Sequence, residues 1–191
     1  MLGFTGTFES KPISVQSVGM GGASAAIYYS ELFQLGATRL LRVGTAGGLA
    51  PTLRMGDTIV ALSATPDDPL TAQLTGGEVH APTATFELVE VAVQLAREQG
   101  IRVHVGAVVT SALFYDTRPG IMQRWRDRGH LAVEMEVSIL YTLAAIEHKE
   151  AVAVMTVSDL IGDTGTERIS DAELRAGVDQ MMRVACRVAV S

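Results

Sequence analysis

The sequence predicts an α/β protein, with a three-layer αβα fold around a mixed, largely parallel central sheet. Apolar runs of strand length alternate along the chain with segments of helical period, which is typical of strands joined by helical crossovers. Hydrophobic residues fill 48% of the 191 positions and charged residues 19%, as in globular chains. A chain of this length can bury a sizeable core, and we predict one domain over residues 1–191.

The first predicted elements are a strand, a turn and a helix. Residues 13–18 are a strand, residues 19–22 a glycine-rich turn, and residues 23–35 a helix that a glycine ends. Two strands follow at residues 38–43 and 58–63, separated by a glycine-rich bend and a loop with a proline.

The middle of the chain alternates in the same way. Residues 64–82 are rich in Pro, Asp, Gly and Thr and are predicted as a surface loop. A helix at residues 84–98 precedes a strand at 102–110 and a short, charged, amphipathic helix at 122–128.

The last elements include the most apolar strand. Residues 131–134 begin apolar and pass into a helix that ends near Glu147. Residues 151–157 are mostly apolar and rich in β-branched residues, which suits the centre of the sheet. The final helix, residues 170–190, begins with a capping box, in which a serine is followed three positions later by a glutamate.

Charge and composition argue against several classes of protein. The net charge is −6 without a long run of Lys or Arg, which disfavours nucleic acid or an anionic membrane surface as a partner. Residues 1–10 lack a basic and apolar leader, and no segment has the apolar length of a membrane span, so we expect a cytoplasmic protein. The four histidines are scattered without metal-binding spacing, so no metal is predicted. A small molecule is the expected ligand.

The segment 19–25 (GMGGASA) follows a strand and opens a helix. In open α/β sheets such turns face the crevice at the carboxyl ends of the strands, where small ligands bind. Small residues let the backbone approach a ligand, and a helix N-terminus favours an anion. Tight packing of the helix explains the same glycines, and the sequence leaves both interpretations open.

Arg42 ends an otherwise apolar strand and precedes the glycine-rich segment 43–48 (VGTAGG). A guanidinium there is costly unless it meets a carboxylate or an anionic ligand. A structural ion pair, with Glu134 among the candidate partners, is one interpretation. We favour an anion site, because Thr45 adds a hydroxyl donor and the glycines free backbone donors beside it.

Two carboxylates flank Met135 in the segment 132–136 (AVEME), where a strand becomes a helix. Successive strand residues point to opposite faces, so Glu134 and Glu136 share a face that Met135 does not. An acidic residue in a first helical turn commonly partners the helix dipole, which accounts for one of the two. One carboxylate can pair a buried cation while the other accepts hydrogen bonds from vicinal hydroxyls of a sugar.

Two further candidates come directly after strands. Asp159 closes the segment 156–159 (TVSD), where ligands bind in this architecture, although it could equally cap the next element of the chain. Phe114 and Tyr115 could offer a flat ring to a base, although an aromatic pair after a strand is also typical of a core.

Taken in order, these motifs resemble the nucleoside phosphorylase and nucleosidase superfamily, specifically its branch of hexameric bacterial purine nucleoside phosphorylases and archaeal methylthioadenosine phosphorylases. The motifs are MLGFTGT at 1–7, GMGG at 19–22, RVGTAGG at 42–48, LFY at 113–115, VEME at 133–136 and TVSD at 156–159. The resemblance covers essentially the entire chain.

The resemblance implies sites for phosphate and ribose. Arg42 and Thr45 would contact inorganic phosphate, which is a co-substrate, and no cofactor is implied. Met135 and Glu136 would hold the ribose, with Met20 packed near the sugar.

The resemblance also implies a base pocket. Phe114 and Val133 would line it. Asp159 would donate a proton to, or hydrogen-bond with, the purine N7 as the glycosidic bond breaks, with Ser158 beside it. Phosphorolysis passes through an oxocarbenium-like sugar that an anionic nucleophile stabilises, and protonation of the base improves the leaving group.

Two related branches fit less well. Uridine phosphorylases recognise a pyrimidine with Gln and Arg side chains from a segment that this sequence lacks, and they do not place Asp at the position of Asp159. Nucleosidases share the segment 46–53 (AGGLAPTL) closely but do not use Arg at the position of Arg42. Purine and phosphate are therefore favoured.

The sequence departs from the family pattern at three places. The family has a further strand, a phosphate loop bearing an Arg and a helix before the first residue of this chain, so we expect an N-terminally truncated fold that keeps only the Arg42 half of the phosphate site. In the family, an acidic residue usually stands at the position that Ala112 occupies in this sequence. The alanine here weakens the expected support of the base loop. The segment 161–169 is longer and more polar than in the bacterial enzymes, and the Arg that assists base protonation matches either Arg168 or Arg175.

These expectations combine into one function, phosphorolysis of a purine nucleoside to free base and ribose-1-phosphate, with 5′-methylthioadenosine among the candidate substrates. The resemblance implies a homo-oligomer, a dimer-based hexamer. The alternatives are a catalytically impaired nucleoside-binding or assembly subunit and a hydrolytic nucleosidase.

Overall fold

The computed structural model describes residues 2–162 and 165–191. Met1 of the N-terminal motif, and Asp163 and Thr164 of the polar segment 161–169, lie outside the described residues. The strands are β1 (Gly3–Phe8), β2 (Lys11–Gln16), β3 (Arg39–Gly48), β4 (Thr58–Pro66), β5 (Val103–Thr110), β6 (Ala132–Glu134), β7 (Glu150–Gly162) and β8 (Gly165–Arg168). The helices are α1 (Gly22–Gln34), α2 (Leu70–Leu74), α3 (Phe86–Glu98), α4 (Ile121–Asp127), α5 (Val137–Ile146) and α6 (Asp171–Ala189).

Six of these strands form one mixed sheet that closes on itself. The order is β3-β6-β5-β4-β7-β8, and β3 also pairs with β7. The two longest ladders, β3–β7 and β4–β5, are parallel, as is β5–β6, whereas β3–β6, β4–β7 and β7–β8 are antiparallel. The α/β class and the mixed sheet that the sequence predicts are confirmed.

The helices lie in two groups that both contact the sheet. One group comprises α1, α2 and α5, and the other comprises α3 and α6. Helix α5 is buried along its first eight residues, six of which are apolar, and only its last two residues are exposed. Its aromatic residue Tyr141 is among the largest fully buried side chains, together with Ile59 and Met155 of the sheet.

Strands β1 and β2 form a separate hairpin instead of entering the sheet. They pair antiparallel through a two-residue turn at Glu9 and Ser10, whose φ values are 48° and 64°. Two positive φ angles are typical of the type I′ turn that joins hairpin strands. Strand β2 overlaps the predicted strand at residues 13–18, but it pairs only with β1, so it is not one of the sheet strands joined by helical crossovers that the sequence predicts. Most of its residues are exposed, so no buried face joins it to the core.

Strand β3 extends through the segment that the sequence predicted as a glycine-rich bend. It pairs with β7 as far as Gly48. A Cβ atom at Gly47 would lie 2.8 Å from Ile161 Cδ1, and one at Gly48 would lie 3.0 Å from Leu160 Cδ2. Glycine at these positions therefore lets the side chains of Ile161 and Leu160 pack closely against β3. The predicted bend is wrong, because the strand pairing continues through it.

The predicted surface loop at residues 64–82 contains the end of β4 and helix α2. The Asp68 carboxylate accepts a hydrogen bond of 2.8 Å from the amide of Leu70, where the helix begins. Thr71 is buried, and its hydroxyl donates to Ser138 of α5 at 3.3 Å. The sequence did not reveal this helix, because a helix of five residues is too short to show an apolar period.

Candidate active site

Arg42 lies at the centre of a buried cluster with two carboxylates. Its Nη2 lies 3.2 Å from Glu134 Oε2 and closer still to Glu136 Oε2, to which its Nε also donates at 3.2 Å. The three side chains are 11%, 0% and 7% exposed, respectively. The structure therefore contains the ion pair that the sequence offered as one interpretation of Arg42.

Glu134 joins this cluster to the start of α5. Its carboxylate accepts hydrogen bonds from the amides of Glu136 (2.8 Å) and Val137 (3.0 Å) and from the hydroxyl of Thr110. Burial raises the pKa of Glu134, whereas Arg42 and these donors act in the opposite direction. Glu134 is thus the carboxylate that partners the N-terminus of α5.

Glu136 joins Arg42 to the glycine-rich turn before α1. Its Oε1 accepts a hydrogen bond of 2.6 Å from the amide of Gly21. Gly21 has φ 83°, which favours glycine. A Cβ atom at Gly22 would lie 3.0 Å from Ile139 Cγ1 of α5. The packing interpretation of this motif therefore holds for Gly22, and Gly21 brings a backbone donor to the cluster, whereas ligand binding by the motif stays a prediction.

Two buried donors in this region lack an acceptor among the described residues, namely Arg42 Nη1 and the hydroxyl of Tyr29. Burial raises the pKa of Tyr29, so the hydroxyl keeps its proton. Burial lowers the pKa of Arg42, but Glu134 and Glu136 raise it by more, so Arg42 stays cationic. Tyr29 was not among the residues predicted from the motifs, although its spacing of four from Phe33 indicates the buried face of α1.

Asp159 lies in β7, immediately after a β-bulge. The pairing register between β3 and β7 shifts so that Gly47 lies opposite Asp159, which leaves Ser158 as the additional residue. Bulges redirect side chains and are common beside active sites. The hydroxyl of Ser158 donates to Asp159 Oδ2 at 2.7 Å, and the Asp159 side chain is 28% exposed.

Strand β8, which the sequence did not predict, places a cation beside this aspartate. Arg168 is the ladder partner of Asp159, and its Nε lies 3.9 Å from Asp159 Oδ1. Arg175, the other candidate, lies on the exposed side of α6. Only the pairing of β7 with β8 distinguishes the two arginines.

The sheet arranges these groups in order along β3. Val133 of β6 and Asp159 of β7 both pair with Gly47 of β3. Arg42 lies five positions earlier on β3, or about 16 Å along an extended strand. Because β6 runs antiparallel to β3, the chain from Val133 leads through the two carboxylates back toward Arg42. The described structure contains no contact between Asp159 and the Arg42 cluster.

The remaining predicted site residues lie apart from this cluster. Thr45 is the one exposed residue of β3, and on a regular strand it lies on the face opposite Arg42. Met20 and Phe114 are 83% and 71% exposed, and Met135 is half-buried. The structure thus brings Arg42 and Glu136 together but does not bring the other predicted phosphate and ribose contacts to them.

Neither a metal site nor a membrane span is found in the part of the chain that the structure describes. Within residues 2–162 and 165–191, no group of three or more His, Cys, Asp or Glu side chains could hold a metal ion. No helix in that same part of the chain has the length and apolar character to cross a membrane.

The closed mixed sheet, the buried cation with its carboxylates and the aspartate after a bulge define an α/β protein of the phosphorylase type. The chain belongs to the phosphorylase superfamily, whose family model matches residues 2–191. It is 41% identical over 191 residues to a purine nucleoside phosphorylase DeoD-type of Exiguobacterium sibiricum and 42% identical to one of Geobacillus kaustophilus, matching 100% of this chain and 80% of each relative. A relative of the same name from Clostridium perfringens is 39% identical over 192 residues, with 81% of that protein covered. The resemblance stated from the motifs is confirmed.

Proposed function

We propose that this protein catalyses the phosphorolysis of a purine nucleoside to free base and ribose-1-phosphate. The observation that carries the proposal is the order of groups along β3. The buried cation Arg42 comes first, the carboxylates of Glu136 and Glu134 follow, and Asp159 comes last. A phosphate, a ribose and a base follow one another in the same order in the reacting complex. The relatives, matched over the whole chain, bear the name purine nucleoside phosphorylase, and inorganic phosphate is the co-substrate.

At the phosphate end, we assign Arg42 the binding of the anion through its unpartnered Nη1. The hydroxyl of Thr45, on the opposite face of β3, is not assigned to this anion. A guanidinium binds phosphate strongly because its N–H groups are charged and directed. Glu136 is assigned to the ribose hydroxyls, and Met20 and Met135 to apolar contact with the sugar. The position of Glu136 supports its assignment, because the carboxylate lies between the glycine-rich turn and Arg42.

At the base end, we assign Asp159 to the purine N7, with Ser158 beside it and Val133 and Phe114 against the ring. A proton or hydrogen bond at N7 stabilises the departing base. Arg168 faces Asp159 in this structure, and we assign it, rather than Arg175, as the cation that accompanies base protonation.

A homo-oligomer, specifically a dimer-based hexamer, is part of the proposal. Exposed apolar side chains outside the assigned ligand contacts support it, since Leu113 and Tyr115 are both more than half exposed in the isolated chain, and such surface is typical of interfaces. Analytical ultracentrifugation of the purified protein measures the assembly directly. A cytoplasmic location remains a prediction of the sequence.

The first experiment measures release of purine from inosine, adenosine and 5′-methylthioadenosine, with and without phosphate. We expect phosphate-dependent release, and a loss of roughly 100-fold in kcat/KM in Asp159→Asn, since general acid catalysis contributes about 10²–10⁴-fold. Asp179→Asn, on an exposed position of α6, is the matched control and should keep wild-type activity.

The outcomes separate the three candidate functions. Release that needs no phosphate would indicate a hydrolytic nucleosidase. Saturable nucleoside binding without release under any condition would indicate a binding or assembly subunit. Full activity in Asp159→Asn would contradict the role of Asp159 while leaving the reaction itself in place.

A further inference from the structure

The loop between β5 and α4, residues 111–120, carries the aromatic pair and is here called the aromatic loop. Phe114 and Tyr115 are 71% and 87% exposed. Their rings meet edge to face, with centroids 5.0 Å apart and an interplanar angle of 81°. Neither ring lies in the core, so apolar burial does not hold the loop in its conformation.

A single carboxylate binds both sides of the aromatic loop. Asp67 directly follows β4, and its amide donates to the carbonyl of Thr110 at 2.8 Å. Its Oδ2 accepts a hydrogen bond of 3.1 Å from Ser111 Oγ at the start of the loop. Arg118, near the end of the loop, donates from Nη1 to Asp67 Oδ1 at 3.2 Å and from Nη2 to Oδ2. Asp67 therefore links the start and the end of the loop that carries the two aromatic residues.

Arg118 has two further partners. Its Nε lies 3.0 and 3.1 Å from the oxygens of Asp116, whose side chain is buried. The hydrogen bond from Arg118 is the main reason that the pKa of Asp116 is lowered. The guanidinium also lies 5.8 Å from the ring centroid of Trp125, which belongs to a small buried cluster. Arg118 thus connects the aromatic loop to β4 and to α4.

We propose that Arg118 is a positioning residue that holds the aromatic loop so that Phe114 meets the purine base. This inference rests on the proposed function. A loop that is already ordered loses less conformational entropy when a ligand binds, which preserves affinity. Asp67 and Asp116 supply the acidic support that the sequence lacks at Ala112.

The test compares wild type with Arg118→Gln. Isothermal titration measures the Kd of hypoxanthine, adenine and inorganic phosphate, and steady-state kinetics measure KM and kcat for the nucleoside. We expect the Kd of the bases and the nucleoside KM to rise about tenfold, as when one ordered segment must be fixed on binding. The Kd of phosphate should stay unchanged, since phosphate binds at the opposite end of the site.

Three further variants sharpen the test. Arg118→Lys keeps the cation but not the planar fork, so it should restore only part of the base affinity. Ser111→Ala removes the other donor to Asp67 and should shift the Kd of the bases in the same direction. Arg97→Gln, on an exposed position of α3, is the matched control and should behave as wild type.

Fluorescence gives an independent measure of the loop. Trp125 is the single tryptophan of the chain, so its emission reports on the guanidinium beside it. We expect altered emission and increased quenching by iodide in Arg118→Gln, with little change in Arg97→Gln.

Unchanged base affinity in Arg118→Gln would overturn the inference. An equal loss of base and phosphate affinity would also overturn it, because it would indicate general damage to the fold. If the wild-type protein binds neither base nor nucleoside, the proposed function fails and the inference fails with it. A wild type that binds base, together with an Arg118 variant that binds equally well, leaves the proposed function intact.

Discussion

At the scale of single residues, burial determines which polar groups are available to a ligand. Glu134 and Glu136 form ion pairs with the buried side chain of Arg42. A buried cation requires such partners. The hydroxyl of Tyr29 and Nη1 of Arg42 are left without acceptors in the described structure. An unsatisfied buried donor is costly, so its presence beside a proposed anion site has a functional interpretation.

The Tyr29 hydroxyl allows a test of this interpretation. Because the buried hydroxyl has no partner among the described residues, Tyr29→Phe should leave the free energy of unfolding unchanged or raise it by about 1 kcal/mol in the absence of phosphate. Urea denaturation followed by circular dichroism measures the change.

Tyr141→Phe is the matched control. The Tyr141 hydroxyl donates to the Ala61 carbonyl at 2.6 Å and accepts from the Ala153 amide at 2.9 Å. Its removal should therefore lower the free energy of unfolding by about 1–3 kcal/mol. Equal destabilisation by the two variants would mean that the Tyr29 hydroxyl does have a partner.

At the scale of elements, helix α6 shows how local sequence sets a boundary. Ser170 accepts a hydrogen bond from the Glu173 amide at 3.3 Å, and the Ser170 amide donates to the Glu173 carboxylate at 3.2 Å. This capping box is the one that the sequence predicted, because its two residues lie within one helical turn. The hydrogen bond from the Ser170 side chain is the main reason that the pKa of Glu173 is lowered.

Removing the cap has a pH-dependent consequence. Ser170→Ala should lower the free energy of unfolding by about 1 kcal/mol at neutral pH. Since the folded pKa of Glu173 lies below its ordinary value of 4.5, the contribution of its carboxylate is present above that pH and is lost as the pH falls further. The difference in the free energy of unfolding between wild type and Ser170→Ala should therefore become smaller below pH 4.5, as measured by urea denaturation at each pH.

Ser170→Asp keeps an acceptor at the cap and is the control for this helix. It should retain most of the wild-type stability at neutral pH. The role assigned to Glu173 predicts that the difference in the free energy of unfolding between wild type and Ser170→Ala depends on pH. If that difference stays constant from neutral pH to well below the ordinary pKa of a glutamate, the role is contradicted.

At the scale of the whole molecule, the protein divides into a closed sheet with its helices and a hairpin that pairs only with itself. A groove of about 910 Å³ lies between the hairpin, β3 and the end of α6. Lys11 donates to the carbonyl of Val190, and Arg187 Nε lies 3.3 Å from Glu9 Oε1. These polar contacts join the hairpin to α6 at the exposed end of the structure.

The hairpin should therefore open separately from the sheet. In Lys11→Met combined with Glu9→Gln, we expect faster amide hydrogen exchange over residues 3–16, because both polar contacts with α6 are lost. Exchange in β7 and α5 should stay as in wild type. Equal acceleration in the sheet would show that the hairpin contributes to global stability.

Local sequence is sufficient for the α/β class, most helix and strand positions, and the family, because apolar period, capping residues and motif identity are properties of short segments. Arg42, Glu134, Glu136 and Asp159 are all identifiable from the motifs alone. The motif order along the chain is enough for this, since these residues lie in motifs at the ends of elements that the pattern predicts.

Which of these groups meet depends on the tertiary structure. The pairing of Arg42 with both glutamates depends on the pairing of β3 with β6. The bulge at Ser158 and the choice of Arg168 beside Asp159 come from the pairing of β7 with β3 and β8. The same holds for the separate hairpin and for the support of the aromatic loop by Arg118. These features arise between residues that are distant in sequence, and local propensity carries no information about such contacts.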